Sequence, residues 1–200
     1  MRRYRADEVL VREDDRSDYA FVLLEGCVKV SAIGHHGYQA ILGLRDPGEL
    51  VAELASLDGG ERMATLTAIT EVEVLRLPAA SFKPFVRTEP DVAAIIRRTL
   101  SARLREADRS RAAAGAESAQ QRLAALLLHL GRRYGSREPE GQLVIELALS
   151  QEDLAGLVLT SQRSLARILA LWRADNLVLT GRRRVVLVRP AELARFADDA

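Results

Sequence analysis

The stretch from Ser150 to Val188, SQEDLAGLVLTSQRSLARILALWRADNLVLTGRRRVVLV, contains the clearest structural pattern in the sequence. Ser150 and Asp153 have the spacing of a capping box, which predicts a short helix that begins after Ser150. A tight turn follows, and Thr160 or Ser161 can cap a second helix. That helix has an apolar stripe at helical spacing, formed by Leu165, Ile168, Leu169 and Trp172. Two such helices joined by a tight turn predict a helix-turn-helix, whose second helix enters the major groove of DNA.

The face opposite that stripe carries side chains that suit base reading. Gln162, Arg163 and Arg167 fall on this face, together with Ala166. Arginine can donate two hydrogen bonds to guanine O6 and N7, and glutamine can bond adenine bidentately. We therefore expect Gln162, Arg163 and Arg167 to contact base edges.

A basic hairpin is predicted directly after the second helix. The segment 177–188, LVLTGRRRVVLV, has two β-rich runs around a tip that contains Arg182, Arg183 and Arg184. Three consecutive arginines beside a helix-turn-helix predict a wing that contacts DNA phosphates. The alternative is a solvated charged turn on a protein-binding adaptor, which would not bind duplex DNA in a salt-dependent way.

The first 88 residues show the period of short β-strands. Four runs are rich in strand-forming residues: EVLVRED, AFVLLEGCVKVSAI, YQAILGL and EVEVLRL. Turn-forming residues separate them, at Glu25-Gly26, 34–37, 46–48 and 58–60. Many short strands with regular turns predict a sandwich or barrel over residues 1–88.

A long helix is predicted from about Glu89 to Arg111, after a short helical or irregular bridge. Apolar residues recur along it at three- and four-residue spacing: Val92, Ile95, Ile96, Leu100 and Leu104. A narrow stripe of this kind favours pairing with the same helix of a second chain, and the alternative is that it covers the β-domain. The small-residue segment Ala112–Ser118 predicts a break. We divide the chain into residues 1–88, a dimerisation helix and hinge at 89–115, and a third part at 116–200.

The third part begins with another predicted helix and a short strand. The helix is expected to bury Leu123, Leu126, Leu127 and Leu130, and the strand is QLVIEL. Both precede the helix-turn-helix.

Composition narrows the class of protein. The chain has 200 residues, of which 48% are hydrophobic and 28% charged, and its net charge of +1 gives no molecule-wide basic field. No run approaches the roughly 18 apolar residues of a membrane span, and the charged N-terminus shows no signal peptide. Together with a single cysteine, Cys27, these features favour a reducing cytoplasm and no membrane partner.

The order of these parts resembles the Crp–Fnr family of bacterial transcription regulators, the relatives of the cyclic-AMP receptor protein. The resemblance covers nearly the whole chain and implies an α+β fold. Its parts are an N-terminal β-roll or jelly roll like cyclic-nucleotide-binding domains, a long dimerisation helix and a C-terminal winged helix-turn-helix. It also implies a homodimer that binds a near-palindromic operator in double-stranded DNA and contacts RNA polymerase. By the same resemblance Ser150, Ser161 and Ser164 lie near phosphates. Many members carry glutamate where Arg163 stands here, so a different half-site is expected.

The stretch GELVAELASLDGGERMATL, residues 48–66, lies where the family has its phosphate-binding cassette. The resemblance makes Glu53 the acceptor of a ribose hydroxyl and Arg62 the partner of a cyclic phosphate. Ala52 replaces the glycine of the cassette, and Met63 replaces its hydroxyl residue. These changes are expected to crowd the backbone and to place an apolar side chain beside a buried charge.

The predicted effector pocket also includes Ala64 and Asp108. The pair of hydroxyls that contacts adenine in the cyclic-AMP receptor protein falls at Ala107 and Asp108 here. Three interpretations stay open: a cyclic nucleotide, another nucleotide or anionic effector, and no effector at all. In the third, Glu53 pairs with Arg62 as a relic of the cassette. No cofactor is assigned, and a cyclic nucleotide is one candidate ligand.

Metal and catalytic sites are not predicted. An iron–sulfur cluster needs several cysteines, and a haem sensor needs axial ligands near the long helix, whereas the histidines are His35, His36 and His129. His35 and His36 lie in a glycine-flanked turn, where solvated side chains are expected. A jelly-roll metalloenzyme needs clustered His and Glu ligands on adjacent strands, which this sequence does not provide. We expect a regulator and not an enzyme.

Overall fold

The computed structural model describes residues 1–34, 39–138 and 141–198, which divide into two compact units. The first unit is Met1–Ala107 and the second is Asp108–Ala200. The predicted turn with His35 and His36 lies outside the described residues.

The strands of the first unit form two antiparallel sheets. One contains, in spatial order, β1 (Arg2–Tyr4), β8 (Val72–Pro78), β3 (Tyr19–Glu25) and β6 (Leu50–Val51). The other contains β2 (Val9–Val11), β7 (Thr65–Ala68), β4 (Val28–Ile33) and β5 (Gln39–Arg45). Their inner faces share one apolar core, which includes Phe21, Leu23, Val28, Leu66 and Val74. The predicted sandwich is confirmed.

The chain passes from the first sheet to the second at Gly26. This residue has φ of +81°, and a Cβ would lie 2.0 Å from the carbonyl oxygen of Glu71. Both the backbone conformation and the close approach therefore require glycine. The predicted turn at Glu25-Gly26 is confirmed.

The helices near this sandwich are α1 (Glu53–Asp58), α2 (Ala79–Thr88) and α3 (Pro90–Ala116). The predicted bridge is thus helical, as α2. The break predicted at Ala112–Ser118 begins later than expected, because α3 continues through Ala116. The alanines of this segment are the best helix formers and outweigh the single Gly115. The break falls at Glu117-Ser118, where the Ser118 side chain caps α4 (Ala119–Tyr134).

The apolar stripe of α3 divides between two surroundings. Ile96, flanked by Val92 and Leu100, packs against the β-domain. Ile95 and Leu104 are 59% and 62% exposed. Covering of the β-domain therefore accounts for Ile96 and its neighbours, whereas Ile95 and Leu104, about half a turn apart around α3, are exposed.

The second unit combines helices with an antiparallel sheet. The sheet contains, in spatial order, β11 (Val178–Gly181), β12 (Arg184–Leu187), β10 (Leu143–Glu146) and β9 (Ser136–Arg137). The helices after α4 are α5 (Gln151–Leu157), α6 (Gln162–Ala174) and α7 (Pro190–Asp198). Leu123, Leu127 and Leu130 are buried as predicted, whereas Leu126 is half-buried and Leu128 is buried beside them. Helix α7, which we did not predict, packs on α4.

Neither a single membrane-spanning helix nor a metal-binding cluster is found among the described residues. No helix among the described residues is by itself long and apolar enough to span a membrane, and α5 with α6 meets that test only as a pair bent by 105°. The described residues also contain no group of three or more His, Cys, Asp or Glu side chains that could hold a metal ion.

Candidate functional site

Two serine caps set the geometry of the helix-turn-helix. Ser150 Oγ accepts from the Asp153 N–H at 3.0 Å, and Asp153 Oδ2 accepts from the Ser150 N–H at 2.9 Å. Ser161 Oγ accepts from the Ser164 N–H at 3.1 Å, which starts α6. The chain bends by 105° between α5 and α6, within the range of helix-turn-helix motifs. The predicted capping box is confirmed, and of the two candidate caps Ser161 is the one used.

Helix α6 buries and exposes the two faces that the sequence predicts. Leu165, Ile168, Leu169 and Trp172 are all buried. Gln162, Arg163 and Arg167 are exposed on the opposite face. The two arginines make no hydrogen bond or ion pair with the described part of the chain, so their donors face solvent.

The predicted basic hairpin is formed by β11 and β12. Its tip is Arg182-Arg183, and Arg183 has φ of +56°. Arg182, Arg183 and Arg184 are all exposed. Arg184 Nε lies 3.7 Å from Glu146 Oε1, an ion pair that is open to water and therefore weak.

A link between α6 and the wing was not predicted. Arg173, in the last turn of α6, donates from Nη1 to Thr180 Oγ1 at 3.0 Å. The i to i+7 separation crosses the end of the helix, so no helical or strand period signals it. This bond links the hairpin to the end of α6.

The three serines expected near phosphates have local partners. Ser150 Oγ lies 2.9 Å from Asp153 Oδ2, and Ser161 Oγ lies 2.9 Å from Ser164 Oγ. The hydroxyls of Ser150 and Ser161 therefore act as helix caps, whereas Ser164 lies in the first turn of α6 and bonds the Ser161 cap. All three serines lie at helix N-termini, where unpaired backbone N–H groups are also found.

The first unit contains a cavity of about 430 Å³. Its wall comes from the two sheets, from the segment around α1 and from α3. The predicted residues Glu53, Arg62, Met63 and Ala64 all line it. Asp108 does not, because its carboxylate lies 3.3 Å from Arg111 Nη1 on the exposed surface of α3.

Arg62 is buried and donates to the protein from each guanidinium nitrogen. Its Nε bonds Ser17 Oγ at 3.1 Å, and Nη1 and Nη2 bond the carbonyl oxygens of Ala52 and Tyr19. The guanidinium carbon lies 5.0 Å from the Tyr19 ring centre. Burial lowers the pKa of Arg62. The predicted pairing of Glu53 with Arg62 is wrong, since each side chain has other partners.

Arg103 of α3 is the partner of Glu53. Its Nη1 donates to Glu53 Oε1 at 2.8 Å, and its Nη2 donates to Glu49 Oε2 at 3.3 Å and to the Leu50 carbonyl. Its Nε is buried with no partner in the described part of the chain. We did not predict Arg103, although its position three residues after Leu100 on α3 was a usable signal.

Arg45 is a second arginine that the sequence did not indicate. It is buried, donates from Nη1 to the Leu44 carbonyl at 2.7 Å, and lies 3.9 Å by Nε from Glu49 Oε2. Gly43 has φ of +137°, and a Cβ there would lie 2.8 Å from Arg45 Nη1. Glycine at 43 therefore makes room for this guanidinium. Burial, followed by the nearby Arg103 charge, lowers the pKa of Arg45.

Comparison with known proteins matches a family model to each of the two parts of the chain. The family model for the cyclic nucleotide-binding domain matches residues 1–89, and that for the Crp-like helix-turn-helix domain matches residues 121–196. The chain belongs to the Crp–Fnr family of DNA-binding transcription regulators.

Relatives within the Crp–Fnr family align along most of the chain. The CRP-like cAMP-activated global transcriptional regulator of Mycobacterium tuberculosis is 26% identical over 185 residues, 92% of this chain and 82% of that protein. The cyclic AMP receptor protein of Thermus thermophilus is 29% identical over 196 residues, 98% of this chain and 87% of that protein. A crystal structure of a CRP-family transcriptional regulator, also from Thermus thermophilus, superimposes with a TM-score of 0.83 at 25% identity, covering 100% of this chain and 98% of that one.

Against the cassette expected of a Crp–Fnr regulator, two residues stand out. Ala52 has φ of +59° and ψ of +24°, so a residue with a Cβ occupies the left-handed conformation that glycine adopts more easily. The expectation that Met63 would lie beside a buried charge is wrong, because Met63 is 62% exposed while Arg62 is buried. Met63 stands at the rim of the cavity and adds an apolar edge to it.

Proposed function

We propose that this chain is a homodimeric regulator that reads a near-palindromic operator with α6 and is controlled by a small effector in the cavity. The observation that carries the proposal is the exposed face of α6. There Gln162, Arg163 and Arg167 keep their polar groups available, next to a basic hairpin that α6 holds through Arg173. Regulators of this family act on DNA by binding, so the site of action is the cytoplasm and the role is not catalytic.

Base reading is assigned to three side chains. Arg163 and Arg167 donate to guanine O6 and N7, and Gln162 bonds adenine. Each such contact discriminates against a wrong base by about 1–3 kcal/mol.

Phosphate contacts are assigned to the wing and to the starts of the two helices. Arg182 and Arg183 at the hairpin tip, with Arg184 behind them, neutralise backbone charge. Ser150, Ser161 and Ser164 mark the places where helix N-termini meet phosphates.

The homodimer is assigned to the exposed side of α3. Ile95 lies there and is 59% exposed, and a large apolar side chain on an exposed helix face is well suited to the same helix of a second chain. Leu104 lies about half a turn away from Ile95, at the cavity. Two copies bind half-sites about one helical turn apart. RNA polymerase is the partner through which such a dimer acts on transcription.

Control by an effector is assigned to the cavity because α3 contributes to its wall. Arg103 and Leu104 line the cavity, and the same helix continues to Ala116. A ligand that binds one arrangement of α3 better than another shifts the population toward it.

The test begins with selection of bound sites from random duplexes, followed by anisotropy titration of the selected duplex and a scrambled one at several KCl concentrations. Arg167→Ala is expected to weaken binding to the selected duplex by about 1–3 kcal/mol and to leave scrambled DNA almost unchanged. Arg183→Ala is expected to weaken both and to reduce the salt slope by about 1.

The control is Arg87→Ala, which removes an exposed arginine from α2 and is expected to leave the affinity for both duplexes unchanged. Equal losses on both duplexes for Arg167→Ala would remove Arg167 from the base-reading set. Failure to enrich any sequence would overturn the proposed function.

A further inference from the structure

The wall of the cavity has an unusual division between apolar and charged groups. Of the residues that line it, the polar ones are Arg45, Glu53, Arg62 and Arg103, and all four are charged. The others are Val, Leu, Ala and Met, so the described part of the wall has no Ser, Thr, Asn, Gln, Tyr or His. This wall suits a ligand with one charged end and an apolar body.

The charged groups leave positive charge in excess. Three guanidinium groups face the cavity against the single carboxylate of Glu53, and Glu49, which bonds Arg103 from outside the wall, reduces the excess to one. Other carboxylates act on these arginines: Asp15 and Asp18 near Arg62, and Glu106 near Arg45. Those three are exposed, so water and salt screen them. One ligand anion completes the balance.

The geometry places that anion near Arg45 and Arg103. Both approach the same oxygen, Glu49 Oε2, at 3.9 and 3.3 Å, so two cations share one carboxylate oxygen. The buried Nε of Arg103 has no acceptor in the described part of the chain. Arg62 differs, because all three of its nitrogens already donate to protein oxygens, those of Ser17, Ala52 and Tyr19.

A nucleotide fits this wall poorly. Its base and ribose carry several neutral donors and acceptors, and burying each one without a hydrogen bond costs free energy. Ala107, Leu104 and Leu100 on α3 present no such partner. An aliphatic or aromatic body loses no hydrogen bond there and gains from leaving water.

We propose that the cavity binds an organic monoanion with an apolar body, a carboxylate on an aliphatic or aromatic frame, through Arg45 and Arg103. The inference rests on the proposed function, in which the cavity receives the effector. Arg45 is the residue that distinguishes this ligand class, because Gly43 leaves space for its guanidinium at the wall. The apolar body lies along Leu66, Leu100 and Leu104.

The test is calorimetric titration of the purified full chain with four probes: octanoate, acetate, 1-octanol and cyclic AMP. Octanoate is expected to bind at least ten-fold more tightly than each of the others. Acetate lacks the apolar body, 1-octanol lacks the charge, and cyclic AMP brings polar groups that the wall does not match. Equal binding of 1-octanol and octanoate overturns the role of the arginines, and tighter binding of cyclic AMP overturns the ligand class. The absence of binding by octanoate also overturns it.

A matched pair of variants tests the site itself. Arg45→Met removes the charge and keeps an apolar chain of similar length. It is expected to weaken octanoate binding at least ten-fold. Arg87→Met makes the same change at an exposed site on α2 and is expected to leave octanoate binding unchanged. Unchanged affinity in Arg45→Met contradicts the proposal. If Arg45→Met does not fold, the four-probe comparison on the unsubstituted chain still decides.

Titration of the selected duplex with and without octanoate separates this inference from the proposed function. Intact sequence-specific DNA binding with no octanoate binding overturns the ligand class alone. Octanoate binding that leaves DNA affinity unchanged supports the ligand class and contradicts effector control.

Discussion

The recognition helix and the cavity both depend on arginine, in opposite surroundings. Arg163 and Arg167 on α6 are exposed, and in the described structure their donors bond nothing in the chain. Arg45 and Arg62 in the cavity are buried and donate to backbone carbonyls. Exposed arginines add little to folding and leave all their donors for a ligand. Buried arginines are part of the fold, so the same substitution has a different effect in each place.

The largest expected effect tests this difference on stability. Arg62→Ala removes a donor from Ser17 Oγ and from the carbonyls of Ala52 and Tyr19, and the Ala52 carbonyl then keeps the Ser56 hydroxyl at 3.4 Å. We expect the free energy of unfolding to fall by about 3 kcal/mol, as in other buried networks that lose one partner. Urea unfolding followed by far-UV circular dichroism measures it.

Arg163→Ala is the matched control on the exposed side. Its free energy of unfolding is expected to stay within about 0.5 kcal/mol of the unsubstituted chain. Similar losses in Arg62→Ala and Arg163→Ala would contradict the distinction between the two kinds of arginine.

The local part of the fold and of the site could be predicted from the sequence. The caps Ser150 and Ser161 and the buried stripe with Trp172 depend on residues three or four positions apart, which a helical period reveals. The Gly26 turn is likewise local. The exposed face of α6 followed from the stripe opposite to it.

The cavity could be predicted only in part because its contacts are distant in sequence. Glu53 and Arg103 are separated by 50 positions, and Arg62 and Ser17 by 45. No periodicity indicates which guanidinium meets which carboxylate. The resemblance identified Glu53 and Arg62 as cavity residues but not their partners, and it gave no signal for Arg45.

An intermediate effect on stability concerns Ala52, the left-handed residue of the cavity wall that precedes α1. Ala52→Gly is expected to raise the free energy of unfolding by about 0.5–1 kcal/mol. The left-handed conformation costs an alanine about 1–2 kcal/mol, which exceeds the extra chain entropy of glycine, about 0.5–1 kcal/mol. Thermal unfolding by calorimetry measures the change.

Ala112→Gly is a control with the opposite expected sign, because residue 112 is exposed and lies in the right-handed helix α3. It is expected to lower stability by about 1 kcal/mol. Destabilisation by both substitutions would show that Ala52 is not strained.

The smallest expected effect concerns the link between α6 and the wing. Thr180→Val removes the acceptor of Arg173 Nη1 on the exposed surface, so stability is expected to change by less than about 0.5 kcal/mol. Affinity for the selected duplex is expected to fall, because the wing arginines are held less firmly. Thr180→Ser keeps the hydroxyl and is expected to restore affinity, and the failure of that rescue would contradict the positioning role.

The central claim, that α6 reads guanines in two symmetric half-sites, is tested most directly by methylation interference on the selected operator. Methylation of guanine N7 blocks the acceptor that arginine uses in the major groove. We predict interference at guanines in two half-sites about one helical turn apart, and its loss at one guanine per half-site in Arg167→Ala. Binding that is insensitive to guanine methylation, or an identical pattern for Arg167→Ala, would contradict the account.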